Sequence, residues 1–577
     1  VRRIGRVLLG GALLAGCAVA LTGCFSAPPQ IISLEPNRGS SAVRADAPVR
    51  VVFDRQVARS TVPGRFTVTP AIPGCDVSSV FAAPSTAPCW IRWLDTQPGF
   101  ELIHQEAVFR PATRYDFTLA GGFTDLQGDS NGLDHHWDIT TQAAPRLTAS
   151  SPGDRGTDVP VDTSLSVAFS APMDAPSTAA AISLEPAVAG TRVIRNAVDH
   201  GRFVVLPGHL LSPSLTYKLS VDSGARGEDH QAVAAPASVT FTTGTRLDGA
   251  HAVVLSGMPG GNATQVALAS LAPAVAGEPI PVPVLMSAAR CQVSTGCSGV
   301  PQDAPLQTYS AATVSADGSH IAVVITELPS GTSRLEVIDT VNDVIVSDVP
   351  GGVRPSFSAS GAELALVAGD RVQVVDVKTG TVSVVATGTD LVATPLWSGE
   401  ATLVLSSAPA GGGPGRIELL SRPLDARYDL PGAPRPSSAV AVSPGGSRLA
   451  IATADGGVLV VPAAGSPGTA QKLTGRLQAL GFAGEGTLVA VSHGPDAAQL
   501  VRISVAGGDT SSVSLTSGVP DLQSVRIAPD GRRLAYLAVD ANGISQLFVA
   551  NADGSGELAI TRFLSGGLQA QAVAFAS

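Results

Sequence analysis

The sequence predicts an all-β protein, two β-sandwiches followed by a seven-bladed β-propeller, and three observations predict it. The chain has 577 residues, too many for one hydrophobic core, which stops growing near roughly 250–300 residues. Its 62 Gly and 43 Pro punctuate short runs of Val, Ala, Leu and Thr, as expected of short strands between tight turns. The chain also repeats on two scales: once as a pair of similar modules, and then as a shorter β-unit that recurs to the end.

The composition narrows the class further. Hydrophobic residues make up 44% of the chain, enough to bury cores, so broad disorder is excluded. Gly and Pro interrupt almost every stretch, which excludes long coiled coil. A net charge of −10 and a pI near 5.4 argue against nucleic acid as a partner. Aromatic residues are only 4% of the chain, which weakens a sugar-stacking reading.

The first residues read as an export segment. Arg2, Arg3 and Arg6 form a positive start, and an apolar run from Val7 to Leu21 follows. That run is shorter than the roughly 20 residues a spanning helix needs. Two tetrapeptides, Leu14-Ala15-Gly16-Cys17 and Leu21-Thr22-Gly23-Cys24, resemble the bacterial lipobox. The resemblance implies that the Cys is lipidated and becomes the mature N-terminus. Cys24 is the favoured site because it uses the whole apolar core; Cys17 is the alternative. Residues 1–23 are then the signal peptide and 24–30 a tether.

Four cysteines remain, Cys75, Cys89, Cys291 and Cys297. In an exported chain they read as disulfides, with the local pairs the simplest of three connectivities. No CxxC spacing or companion His supports a zinc site.

Residues 31–142 and 144–244 align with each other. Leu34-Glu35-Pro36-Asn37-Arg38-Gly39 leads to Val51-Val52-Phe53 in the first, and Ser151-Pro152-Gly153-Asp154-Arg155-Gly156 leads to Val167-Ala168-Phe169 in the second. Pro70 and Pro186 follow those Phe residues at the same separation. Each copy has a Tyr strand, around Tyr115 and Tyr217, and ends in a Thr-rich strand, Trp137 to Thr141 and Val239 to Thr243. Alternating strands of this length in such a unit suggest a sandwich. The run Pro152, Gly156, Val159, Val161, Phe169, Pro172 and Met173 resembles the bacterial Ig-like modules of the SbsA/Big_5 type. The first copy departs from the pattern, with Gln56-Val57 in place of Pro-Met and an insertion around Cys75–Cys89. The resemblance implies an Ig-like fold for both and says nothing of a ligand, because such modules mostly act as spacers or adhesion units.

From residue 245 to 577 the chain repeats every 40–47 residues or so. The unit is an apolar strand, a turn rich in Ser, Asp and Gly, and a second apolar strand. It reads Thr313 to Val323, Phe357 to Leu366, Val442 to Ala450 and, most clearly, Ile527-Ala528-Pro529-Asp530-Gly531-Arg532-Arg533-Leu534-Ala535. Weaker copies lie at Leu396 to Gly399 and Phe482 to Gly486. The repeat resembles the TolB/WD40-like motif and implies a propeller. Val573 to Ser577 reads as a first strand without its hairpin partner, and Leu247 to Leu255 as a hairpin without its first strand. Joined, they complete the first of seven blades. The long step from Gly249 to Gly318 is assigned to an insertion around Cys291–Cys297, with an eighth blade as the alternative.

The search for chemistry returns little. Gly128-Asp129-Ser130-Asn131-Gly132 matches the nucleophile elbow, with Asp134, His135 and His136 close behind. The elbow, however, needs a strand-to-helix turn, and these residues are ordinary turn formers in a sandwich loop. Asp125, Asp129, Asn131 and Asp134 form a weak calcium candidate that lacks the closing Glu of an EF-hand. Asp540 to Gly543 and Asn551 to Gly554 read as hairpin turns. Trp90 and Trp93 flank the first cysteine pair, with one of the two expected in the core. No Walker A, HExxH or dinucleotide fingerprint is present, and no catalytic residue or cofactor is assigned. The expectation is a non-enzymatic, membrane-anchored envelope lipoprotein. A lipid anchor would hold it to the outer face of the membrane, Ig-like spacers would present the propeller, and a protein partner would bind on a propeller face. The alternatives are a propeller hydrolase or lyase with its site at the central channel, and a purely structural envelope protein.

Overall fold

The computed structural model describes residues 27–575 except 105–107, 272–279, 293–296, 298, 300, 389–390, 392, 408–414, 423–425, 431–439, 453–456, 464–468, 473–475, 494–497, 506–509, 514–521, 529–530, 562 and 564–566. The described chain is nearly all β. Its one α-helix is Ala175–Ala181, where Asp174 caps the first turn by accepting from Ser177 N at 3.0 Å. A single 3-10 turn lies at Arg59–Thr61. The Cα framework divides into two compact units, Val1–Ala144 with Gly227–Ala232, and Pro145–Arg226 with Val233–Ser577.

The first unit contains a sandwich of two four-stranded sheets. One runs Ile31–Glu35, Val49–Phe53, Gly99–Ile103, Trp90–Trp93. The other runs Ser40–Val43, His135–Thr141, Arg114–Leu119, Phe66–Thr69, and its Ser40–Val43 strand pairs in parallel with His135–Thr141. Strand alternation sends Tyr115, Phe117 and Leu119 inward to meet Phe53, Phe66 and Phe100, all buried. Trp137 stacks on Phe117 with ring centroids 5.3 Å apart. Burial of rings this large contributes roughly 1.5–3 kcal/mol each.

The second unit begins with a sandwich of the same strand order. Leu147–Ser151, Leu165–Phe169, Arg202–Leu206 and Arg192–Arg195 form one sheet. Gly156–Val159, Ala237–Thr243, Thr216–Val221 and Ile182–Glu185 form the other, again with its short first strand parallel to its second. The internal repeat in sequence is therefore a repeat of topology.

After it come an eight-stranded sheet and five four-stranded sheets, antiparallel throughout. Gln569–Phe575, near the end of the chain, pairs with His251–Gly257, with Val573 opposite Val254. The hairpin partner of His251–Gly257 is Ala263–Ser270, to which Val284–Ser287 adds. Gln307–Val314 joins this sheet through Ala263 opposite Tyr309 and opens the next group of four strands. The later groups open with Gly352–Phe357, Leu396–Ser398, Val440–Val442, Arg476–Phe482 and Leu522–Ile527. Each of these opening strands lies beside the opening strand of the next group, and Gln569–Phe575 lies beside both Leu522–Ile527 and Gln307–Val314.

The repeated turn after each opening strand packs on its neighbour. Gly531 has φ +66°, and a Cβ there would fall on the backbone of Ala483 and Gly484 in the preceding turn. Gly318 has φ +74°, and its Cβ would strike the His251 ring. Gly is required at both positions by the left-handed backbone and by the absence of room.

The second sandwich and the strands that follow it share one core. Val161, Leu165 and Leu211 belong to the same buried cluster as Leu247, Val253, Leu255, Val266 and Leu268. Compactness therefore groups these residues together, where the sequence suggests a boundary at 244/245.

Candidate functional site

The loop 125–134 was the densest set of candidate residues in the sequence, and its geometry is that of a turn. Asp125 Oδ1 accepts from Gln127 N at 2.9 Å and from Asp129 N at 3.0 Å. Asn131 Nδ2 donates to Pro29 O at 2.7 Å, and its Oδ1 accepts from Leu133 N at 2.9 Å. Asp134 Oδ1 accepts from Gly121 N at 2.8 Å. These oxygens face different backbone groups, and no cluster of three or more His, Cys, Asp or Glu able to hold a metal exists among the described residues. Asp125 Oδ2 is buried without a hydrogen-bond partner among the described residues, so the residues of the calcium candidate form a hydrogen-bonded loop in which one carboxylate oxygen stays unpaired.

The elbow match also dissolves. Ser130 bridges to Thr124 within the same loop, and its hydroxyl reaches only Asn131 O, at 3.5 Å. A strand, His135–Thr141, follows instead of a helix. His136 Nδ1 is bound to Thr118 Oγ1 at 2.9 Å, on the opposite face from His135. Burial, with the Arg38 charge adding to it, holds His135 below the ordinary histidine range.

Other sequence candidates lie as follows. Cys75 and Cys89 are bonded with Cα atoms 5.4 Å apart, and Cys291 and Cys297 with Cα atoms 5.7 Å apart. Cys17, Cys24 and the rest of the export segment lie outside the described residues. Part of the expected tether belongs to the sandwich: Pro29 is buried, and Gln30 N donates to Asp54 Oδ1 at 2.8 Å. Neither Trp90 nor Trp93 is a core residue. The buried residue of their strand is Ile91, while Trp93 packs at the margin on Phe81 and Phe100 with Arg59 5.2 Å from its ring. Asp540 and Asp553 accept from Asn542 N and Ser555 N, both at 2.9 Å, as turn formers do.

Two arrangements were not singled out from sequence. The first is a buried polar joint within the second unit. Asp162 Oδ2 and His251 Nε2 are 2.7 Å apart with both side chains almost fully buried, and Asp162 Oδ1 accepts from Asp248 N at 3.0 Å. Val161 N donates to Arg246 O at 3.0 Å across the same joint. The 244–251 connection is thereby fastened to the second sandwich at successive residues. The sequence signal was slight, a lone His opening an apolar strand.

The second concerns the opening strands that lie beside one another. They contain Arg354, Arg476 and Arg526 and no Asp or Glu, in a chain whose acidic residues outnumber its basic ones 47 to 37. Among their described side chains the exposed residues are Ser310, Arg354 and Arg526. Arg354 donates to Leu391 O at 2.5 Å, and Arg526 to Val525 O at 3.1 Å. Neither pairs with a carboxylate among the described residues, whereas Arg334 in a flanking strand and Arg422 in the turn after Arg416–Ser421 do. Desolvation by the surrounding protein lowers the Arg526 pKa.

Comparison with known proteins follows this division of the chain. The bacterial Ig-like domain family, Big_5, matches residues 26–141 and 141–243. No curated protein matches the chain. Among solved structures it is similar to TolB from Acinetobacter baumannii, at 12% identity over 63% of this chain and 80% of that one, with a TM-score of 0.34. A likeness that loose decides neither fold nor function. Bacterial Ig-like domains are therefore present at two places in the chain, in tandem, ahead of a longer β-rich region.

Proposed function

We propose that the protein is an exported, lipid-anchored module of the bacterial cell envelope, in which two Ig-like domains carry a seven-bladed propeller that binds a protein partner. The observation that carries this reading is the cyclic adjacency of the opening strands from Gln307–Val314 round to Gln569–Phe575. Together with the pairing of Val573 with Val254, it supports a ring of blades fastened by strands from both ends of the region. The tandem Ig-like matches support an extracytoplasmic setting. The lipobox-like Leu21-Thr22-Gly23-Cys24 supports the anchor.

Fractionation tests the anchor. Cys24→Ser is expected to release the protein into the soluble extracytoplasmic fraction, and a variant that stays with the membrane removes the lipid anchor from the proposal. Cross-linking of the full chain in envelope preparations tests the binding role. Loss of a partner on substitution of propeller residues supports it, and a partner held by residues 31–142 moves the function to the first Ig-like domain.

A further inference from the structure

We infer that the axis of the proposed ring is a binding site for the carboxylates of an extended acidic peptide segment, with Arg354 and Arg526 as its cationic contacts. The inference rests on the propeller reading and deepens it by naming the partner's chemistry. In such a ring an opening strand has sheets against both faces and its hairpin partner behind, so the direction left to solvent is the axis. The described opening-strand side chains that are exposed are one serine and two arginines, Ser310, Arg354 and Arg526. These strands contain no carboxylate at all.

The sign of the charge is what points to a ligand. The whole chain carries −10, so its far field repels anions, and a cationic channel is not a by-product of composition. On an outer strand Arg334 lies between Glu327, Glu336 and Asp348, whereas Arg354 and Arg526 are paired with no described carboxylate. Arg526 is exposed, and no described acid stands beside it. An exposed guanidinium without a counter-charge is open to an incoming anion. A channel lined by one sign of charge and walled by apolar sheets also concentrates the field acting on a ligand.

The placement favours an extended ligand over a compact anion. Arg354 and Arg526 stand on strands that are not neighbours: Gln307–Val314 and Gln569–Phe575 lie between them in the series. A single phosphate or carboxylate cannot meet cations on separated strands, whereas an extended ligand can. Arginine forks donate to carboxylates in bidentate fashion, and a peptide carrying several Glu or Asp can meet cations on separate strands.

The test uses the full chain and a fluorescein-labelled hexaglutamate peptide, read by fluorescence anisotropy at low ionic strength. Wild type is expected to bind and to release the probe as salt rises. The Arg354→Gln/Arg526→Gln pair is expected to bind about tenfold or more weakly, the loss of charge-assisted contacts. The Arg354→Lys/Arg526→Lys pair is expected to recover part of the affinity, and matching thermal melts establish that the variants are folded. The inference is overturned if wild type does not bind, if the Gln pair binds as wild type, or if a single-stranded oligonucleotide or inorganic phosphate binds as tightly as the peptide. The ring itself is tested separately with Val254→Cys/Val573→Cys, expected to form a disulfide between the paired strands. A cross-link without peptide binding overturns the site alone, and no cross-link overturns the ring reading beneath it.

Discussion

Tyr115 and Tyr217 occupy equivalent places in the two sandwiches and make the same bonds. Tyr115 Oη accepts from Arg110 N at 2.7 Å and Tyr217 Oη from Ser212 N at 2.9 Å. Beside each, a threonine at the end of the last strand closes the corner: Thr141 Oγ1 donates to Arg110 O, and Thr243 Oγ1 to Ser212 O, both at 2.6 Å. Each Tyr ring is buried while its hydroxyl fastens a loop five residues upstream, the arrangement known as a tyrosine corner in Ig-like sandwiches. Burial raises the Tyr115 pKa above the ordinary tyrosine value, against the opposing effect of its backbone bond. Tyr217→Phe keeps the ring and removes the bond, so it is expected to cost about 1 kcal/mol, read as a lower urea midpoint. Tyr217→Ala also leaves a cavity and is expected to cost about 3–5 kcal/mol, as for other large-to-small aromatic changes. Equal midpoints for wild type and Tyr217→Phe would remove the corner as a stabilising contact. Both tyrosines were visible in the sequence as the marker of a repeated strand. Their hydrogen bonds were not, because the loop amides they reach become neighbours only when the sandwich forms.

Successive sheets are tied by carboxylates standing at the repeated turns. Glu400 accepts from Ser360 N at 2.6 Å and from Ser360 Oγ at 2.7 Å. Glu485 accepts from Gly445 N at 2.5 Å and from Ser447 Oγ at 2.7 Å. In both cases the acid sits 40 residues after the turn it holds, one repeat further on. These are the turns where the repeat reads weakest, at Ser398-Gly399-Glu400 and Gly484-Glu485-Gly486. What looked like decay of an Asp-Gly turn places a longer acid that reaches the neighbouring sheet. Burial pushes the Glu485 carboxyl up, but hydrogen bonds from Ser447, Gly445 and Ser443 and the charge of Arg448 outweigh it, and the net effect is a lowered pKa. The folded protein thus holds this proton more weakly than the unfolded chain does. The stabilisation is full at neutral pH and is lost as pH falls below the ordinary glutamate range towards the depressed folded value. Because Glu485 is exposed, the effect is small and weakens with salt. Glu485→Gln is expected to melt lower than wild type at neutral pH and to converge with it in acid. A constant gap across that range would show that the ionised form carries no advantage.

At the scale of the whole molecule, the division of the chain differs from the one its repeats suggest. The boundary at 244/245 is clear in sequence, where an Ig-like repeat ends and a shorter β-repeat begins. In the folded chain the same place is crossed by the Asp162–His251 contact and by a common core containing Leu211, Leu247, Val253 and Leu268. A fragment of residues 245–577 is therefore expected to expose apolar surface and bind a hydrophobic dye. A fragment of residues 145–577 is expected to remain a soluble, cooperatively melting species. Equal behaviour of the two fragments would show that the shared core contributes nothing to independence. By itself the sequence determined the strand-and-turn texture, the duplicated module and the spacing of the later repeats. Those features are local: they rest on side-chain alternation, Gly at positive φ and turn chemistry, all written in neighbouring residues. The tertiary structure decided which candidate residues meet. It carried Asn131 Nδ2 to Pro29 O, buried His251 against Asp162, and brought Arg354 and Arg526 onto strands of one adjacent series. Those outcomes depend on pairings between residues tens to hundreds of positions apart, set by sheet register and core packing, which no local pattern records.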